Sequence, residues 1–287
     1  MCSTCGCSSN ENGITLTKMG ENHHTHHHHD GHTHSHEHHH GEHSHSHEHH
    51  HEHGHEHDHN HNHEHHHHSH DVNIVELEKD ILHQNQLGAE RNRGFFDALN
   101  IFAMNLVSSP GSGKTSLLEK TIADLKEEIE FSVIEGDQQT TNDAARIHAL
   151  NVPVLQINTG KGCHLDSEMI AKSLKELKPK QNSILMIENV GNLVCPAMFD
   201  LGENQRVVII STTEGEDKPL KYPDMFHSSN ICIINKIDLL PYLKFDLEKL
   251  KENAQKVNPN ITFFEVSATS GEGMEAWYEF LKSKVRS

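Results

Sequence analysis

The sequence predicts an α/β protein, a mainly parallel sheet with helices on both faces, behind an N-terminal segment with no core of its own. Three observations carry this expectation. From Asn100 onward, short apolar runs alternate with stretches of helical periodicity, the pattern of strands and crossover helices in a parallel sheet. Of the 33 histidines in 287 residues, 29 fall between His23 and His70. The rest of that stretch is eight acids and Ser, Thr, Gly or Asn, so no apolar side chain offsets the entropy of ordering and disorder is expected. Without the tract, the remainder has ordinary globular composition and suits one domain of about 200 residues.

In chain order, residues 1–22 form a Cys-rich head with a short polar connector, and residues 23–70 are the histidine tract. Residues 71–99 read as a helical lead-in, one amphipathic helix or two, built on Val72, Val75, Leu77, Ile81, Leu82 and Leu87 with Gly88 and Gly94 as weak points. Residues 100–287 form the folded domain. Its strands are expected at 101–107, 131–135, 153–158, 183–188, 206–211, 230–234 and 261–266, and its helices at 113–129, 142–150, 167–177, 245–257 and 273–285. In such sheets ligands bind at the carboxyl ends of the strands.

Composition excludes several functions. Lys plus Arg number 24 against 42 Asp plus Glu, a formal charge of −18, and the basic clusters that phosphate backbones or anionic membranes require are missing. No run approaches the roughly 18 apolar residues of a spanning helix, and the N-terminus lacks signal-peptide character. A soluble cytoplasmic protein is expected, with no nucleic-acid or membrane partner. In a reducing compartment, clustered cysteines read as metal ligands before disulfides.

The strand at 101–107 runs into Ser108-Ser109-Pro110-Gly111-Ser112-Gly113-Lys114-Thr115 and then a helix, a phosphate-binding loop in strand-to-helix context. This makes the sheet that of a P-loop NTPase. Gly111, Ser112, Gly113, Lys114, Thr115 and Ser116 are the candidate phosphate contacts, Lys114 reaching the β and γ phosphates and Thr115 ligating Mg²⁺. Ser108 stands where the motif has glycine. Asn235-Lys236-Ile237-Asp238 follows another strand; the Asp238 carboxylate can accept from guanine N1–H and N2–H₂, whereas adenine would leave it unpaired, so GTP is preferred to ATP. Ser267-Ala268-Thr269 supplies a loop whose N–H groups suit guanine O6. Asp137 and Glu188, both at strand ends, are placed to hold Mg²⁺ directly or through water. Asp143 either orients the attacking water or is a first-turn acid of its helix. Lys114, Asp137, Asp143 and Glu188 are thus the catalytic candidates.

Two metal constellations stand beside this site. Cys2, Cys5 and Cys7 place three thiols within six residues and suit Ni²⁺ or Zn²⁺. Cys163-His164 and Cys195 follow two other strands, as ligands or, alternatively, as small core residues and a surface imidazole. Cys163 and His164, being adjacent, are expected to diverge. Cys232, inside an apolar strand, is read as core. Glu188 and Cys195 share one connecting loop, so a nucleotide that moves the first can move the second. The interleaving of the histidines with Glu, Ser, Asn and Gly speaks against a purification tag and for a weak, high-capacity metal buffer.

The sequence resembles the hydrogenase nickel-incorporation GTPases (HypB), of the SIMIBI class. The resemblance rests on Ser108 to Thr115, Glu135-Gly136-Asp137, Gly162-Cys163-His164-Leu165-Asp166, Glu188 to Pro196 and Asn235 to Asp238; that family shares the Ser108 departure. The resemblance implies a slow GTPase that stores Ni²⁺, dimerises with GTP and delivers nickel to the large subunit of [NiFe]-hydrogenase. Implied partners are a HypA-type nickel chaperone and, in some systems, SlyD. By motif, Cys2, Cys5 and Cys7 would form the tight nickel site, and Cys163, His164 and Cys195 a Ni²⁺ or Zn²⁺ site near the dimer interface. The rival resemblance is to urease nickel GTPases (UreG), which carry Cys-Pro-His where Ala197 follows Cys195-Pro196 here. A nickel storage or detoxification protein with little GTPase activity is the rival of another class.

Overall fold

The computed structural model describes residues 14–19, 70–138 and 142–285. The head cysteines, the histidine tract up to residue 69 and the connector at 139–141 lie outside the described residues. Among the described residues, eight strands form one sheet in the order β1-β4-β3-β5-β2-β6-β7-β8. They are β1 (Thr15–Lys18), β2 (Phe102–Ser108), β3 (Phe131–Asp137), β4 (Val154–Asn158), β5 (Ile184–Glu188), β6 (Gln205–Ser211), β7 (Ile231–Asn235) and β8 (Thr262–Glu265). β2 to β8 run parallel, and β1 alone is antiparallel, on β4 at the edge.

The helices are α1 (His70–Ala98), α2 (Lys114–Leu125), α3 (Asn142–His148), α4 (Ser167–Leu177), α5 (Lys218–Lys221), α6 (Pro223–Ser228), α7 (Leu247–Val257) and α8 (Met274–Val285). Alternate strand residues face opposite sides, and both faces are covered. Met104, Leu106, Val133, Met186, Ile209 and Ile233 pack with Leu118 and Ile122 of α2, Ile147 of α3 and Trp277 of α8. On the other face, Ala103, Ile134, Leu155 and Ile187 meet Phe96 of α1 and Ile170 and Leu174 of α4. Val107, Val208, Ile210 and Ile234 there meet Phe226 of α6 and Leu250 of α7, with Cys232 fully buried among them as its sequence context implies.

All seven expected strands form and the lead-in takes the single-helix alternative, unbroken at Gly88 and Gly94, but two features of the sequence reading need correction. The polar connector contains β1. The packed side of α1 is also not the apolar one: Leu77, Leu87 and Phe95 stay exposed while Asn85, Gly88, Ala89, Asn92 and Phe96 are buried. Asn85 Nδ2 donates to Asp200 O (2.8 Å) and its Oδ1 accepts from Ser167 N (2.9 Å); Asn92 Nδ2 donates to Ser167 O and Leu201 O (2.8 and 3.0 Å). Amides that capture loop carbonyls, with glycine between them, allow a close approach that leucines would block.

Candidate nucleotide site and metal centre

β2 is buried on both faces and delivers Ser108, itself buried, to a turn that needs two left-handed residues. Gly111 and Gly113 supply them at φ 78° and 90°. A Cβ at Gly113 would also lie 2.5 Å from Asn235 Nδ2. Asn235 closes β7, donates to Ser112 O (3.0 Å) and accepts from Lys236 N (2.8 Å) and Ala268 N (3.1 Å). Lys236, at φ 63°, donates to Gly111 O (2.8 Å). The candidate base motif and phosphate loop are therefore one hydrogen-bonded unit. The Ala268 N–H expected to face guanine O6 is engaged by Asn235 here, and Ser267 is buried with its Oγ accepting from Ser270 N (3.0 Å). Asp238 Oδ1 is buried with no hydrogen-bond partner, the costly state a base donor would relieve. Ser116 is exposed on the first turn of α2.

Glu188, the last residue of β5, is fully buried and accepts on Oε1 from Lys114 Nζ (2.5 Å) and Thr115 Oγ1 (2.7 Å). Burial opposes its ionisation, but the Lys114 charge and these hydrogen bonds hold its pKa below the ordinary carboxylate value. Glu135 of β3 is its register neighbour. Burial and the negative charge of Glu188 push the Glu135 carboxyl well up, so two adjacent acids are driven apart in proton affinity. Asp143, in the first turn of α3, brings a third carboxylate, one oxygen of each lying within 4.8 Å of the others. Asp143 is thus both a first-turn acid, paired with Arg146 (3.2 Å), and a member of the acidic cluster. Asp137 is not in that cluster; its Oδ1 accepts from Gln138 N (2.6 Å). Glu135 is the residue the sequence reading left without a role. Oε2 of Glu135 and of Glu188 are both buried without a partner, which fits a divalent cation beside Thr115.

Cys163, His164 and Cys195 converge, with one ligand atom of each within 4.8 Å of the others. The expected divergence of Cys163 and His164 is wrong: Sγ and Nδ1 are 3.8 Å apart. Alternation of neighbours holds in a strand, whereas the chain bends at His164. The imidazole stacks on Phe199 with ring centroids 3.8 Å apart and planes 19° apart. Burial lowers its pKa against the pull of Asp166, favouring the neutral, metal-binding form. Cys195 opens a 3₁₀ turn, Cys195–Met198, and is buried. The segment between Glu188 and Cys195 touches both sites. A Cβ at Gly191 would contact Pro110 of the phosphate loop at 3.4 Å. Asn189 Oδ1 accepts from Leu165 N (3.2 Å), and Asn192 Nδ2 donates to Cys163 O (3.4 Å).

Comparison with known proteins shows the family to which the chain is similar. Residues 102–265 match the family described as CobW/HypB/UreG, nucleotide-binding domain. The hydrogenase maturation factor HypB of Rhizobium leguminosarum bv. viciae is 57% identical over 209 residues, 73% of this chain and 70% of that protein. HypB of Escherichia coli K12 is 56% identical over 211 residues, 74% and 73% of the two chains. The crystal structure of HypB from Helicobacter pylori in complex with nickel superposes with a TM-score of 0.66 at 39% identity, covering 71% of this chain and 95% of that one.

Proposed function

This chain belongs to the HypB hydrogenase maturation factors of the CobW/HypB/UreG nucleotide-binding family, and from that premise we propose that it is a GTP-hydrolysing nickel metallochaperone. It stores Ni²⁺ and delivers it to the large subunit of [NiFe]-hydrogenase in the cytoplasm. The observation that carries this reading is the convergence of a phosphate loop on Glu188 and of Cys163, His164 and Cys195 on the loops that follow the same strand ends. Gly111 to Ser116 would cradle the phosphates, with Lys114 exchanging Glu188 for the β and γ oxygens. Asp238 would read the guanine edge, Asn235 and Lys236 would hold the phosphate loop beneath it, and Ser267 and Ala268 would close the pocket. Thr115, Glu188 and Asp137, with Glu135 beside them, would hold Mg²⁺, which when bound neutralises charge on the transferring phosphoryl group. Asp143 would orient the attacking water.

The thiols at positions 2, 5 and 7 would form a tight Ni²⁺ site, the histidine tract a reserve, and Cys163, His164 and Cys195 a transfer site for Ni²⁺ or Zn²⁺. GTP-favoured homodimerisation, and contacts with a HypA-type chaperone and in some systems SlyD, complete the reading. The test is GTP turnover by the full chain. Lys114→Ala is expected to lose about a hundredfold or more. Asp238→Asn is expected to turn preference from guanosine to xanthosine triphosphate, whose C2 carbonyl accepts where guanine donates. Turnover unaffected by Lys114→Ala would refute the reading.

A further inference from the structure

A buried polar chain runs through the protein from the nucleotide side to the Cys–His cluster, and neither site accounts for it. Its first member is Asn189, fully buried, which follows Glu188 directly. Asn189 Nδ2 donates to Asn105 Oδ1 (3.2 Å), in the middle of β2, and Asn105 Nδ2 donates to Glu203 Oε1 (3.1 Å). The same oxygen accepts from Arg206 Nε (3.0 Å), while Glu203 Oε2 accepts from Leu201 N (2.7 Å). The guanidinium then forks: Nη1 donates to Ala197 O (2.9 Å) and to Ser228 Oγ (3.0 Å), and Nη2 to Phe199 O (2.8 Å). Asn105, Glu203 and Arg206 are 0%, 9% and 6% exposed.

A buried Arg–Glu pair is a poor source of stability, because desolvation offsets most of its attraction. Its placement has another consequence. The two carbonyls that Arg206 holds, at Ala197 and Phe199, lie in the second half of the segment from Cys195 to Phe199, which carries one thiol of the cluster and the ring against which His164 stacks. The planar fork fixes both carbonyls at once, which a point charge cannot do. At the other end, Asn189 also accepts from Leu165 N, next to His164. Both halves of the Cys–His cluster therefore hang on one network whose first residue adjoins the partner of Lys114 and Thr115.

We propose that Arg206, Glu203 and Asn105 are positioning residues of the Cys163–His164–Cys195 centre, with Arg206 setting the thiol and imidazole geometry and Asn105 conveying the position of the Glu188 strand end to it. The inference rests on the metal reading above, so its test separates the two. The full chain carrying Cys2→Ala, Cys5→Ala and Cys7→Ala is titrated with Co²⁺, whose thiolate charge-transfer band leaves histidine-only sites silent, with guanosine diphosphate affinity and thermal unfolding measured in parallel. Glu203→Gln combined with Arg206→Met removes both charges together. It is expected to shift the band and weaken Co²⁺ binding at least tenfold while nucleotide affinity holds, and Arg206→Lys is expected to recover only part of the loss. Asn105→Leu is expected to keep binding but to abolish the difference between guanosine diphosphate and a non-hydrolysable GTP analogue. A folded double variant with the parent's band and affinity overturns the proposal. If that variant does not fold, Arg206→Lys decides, and an unchanged band and affinity there overturn it equally. A parent with no thiolate band, indistinguishable from its Cys163→Ser variant, refutes the metal reading itself and this inference with it.

Discussion

At the scale of single residues, Glu135 and Glu188 show how one strand-end position acquires chemistry. Each is a carboxylate in a strand buried on both faces, and Lys114 is shared unequally between them. Glu135 therefore keeps its proton above the pH at which it would lose it in the unfolded chain. Such a group favours the folded state fully below its unfolded pKa, and the contribution is lost as pH rises toward the folded value. Glu135→Gln has no proton to lose. Without nucleotide or divalent ions, its melting temperature should come closest to the parent's below about pH 4.5 and exceed it increasingly up to pH 8 to 9, and scanning calorimetry across that range checks the sign. Added Mg²⁺ should stabilise the parent more than the variant, because the acidic cluster loses a ligand. The phosphate loop, Asp238, Glu188 and the Cys163, His164 and Cys195 cluster were legible as motifs. Glu135, Asn105 and Arg206 were legible only in a different way. Asn105 interrupts the apolar run of its strand, Glu135 ends one and Arg206 opens one, and a strand buried on both faces holds a polar residue only where a partner awaits it.

Among the elements, strands and long helices followed from periodicity, whereas β1 and the orientation of α1 did not. β1 is four residues of Thr, Leu and Lys, exposed except for a half-buried Lys18, too short and too poor in apolar side chains for its alternation to mark a strand. For α1, the exposed leucines suggested the wrong packed side, since the contact is made by amides and by a helical glycine. A Cβ at Gly88 would lie 2.2 Å from Ser167 Oγ and 3.1 Å from its Cβ, and that hydroxyl donates to Asn85 O (2.8 Å). In an exposed helix Gly→Ala gains about 1 kcal/mol. Here the collision with the first turn of α4 should outweigh it, leaving Gly88→Ala less stable by roughly 1–3 kcal/mol, read as a lower urea midpoint. The double variant Gly88→Ala with Ser167→Gly should recover most of the loss. An increase in the midpoint for Gly88→Ala alone would show that α1 does not dock in this register.

For the whole molecule, the direction of β1 decides at which end of the sheet the chain that precedes it leaves. β1 is antiparallel to β4, with Thr15 opposite Asn158 and Lys18 opposite Leu155. Residues before Thr15 therefore leave at the carboxyl end of β4, the end that leads five residues later to Cys163, while residues after Lys18 start from the opposite end. Cys7 precedes Thr15 by eight residues, a contour of at most about 29 Å. On the proposed reading, a metal held by the head thiols is thus tethered near the Cys–His centre. Passage from head to centre should be first order, with a rate independent of protein concentration. Inserting 20 Gly/Ser residues between positions 8 and 14 should slow it about sixfold, since effective concentration falls roughly as the −3/2 power of linker length. Stopped-flow absorption of the nickel–thiolate bands measures both quantities. A rate that rises with protein concentration, or one indifferent to the insertion, would mean that β1 is only an edge cover and that the head delivers its metal to another molecule.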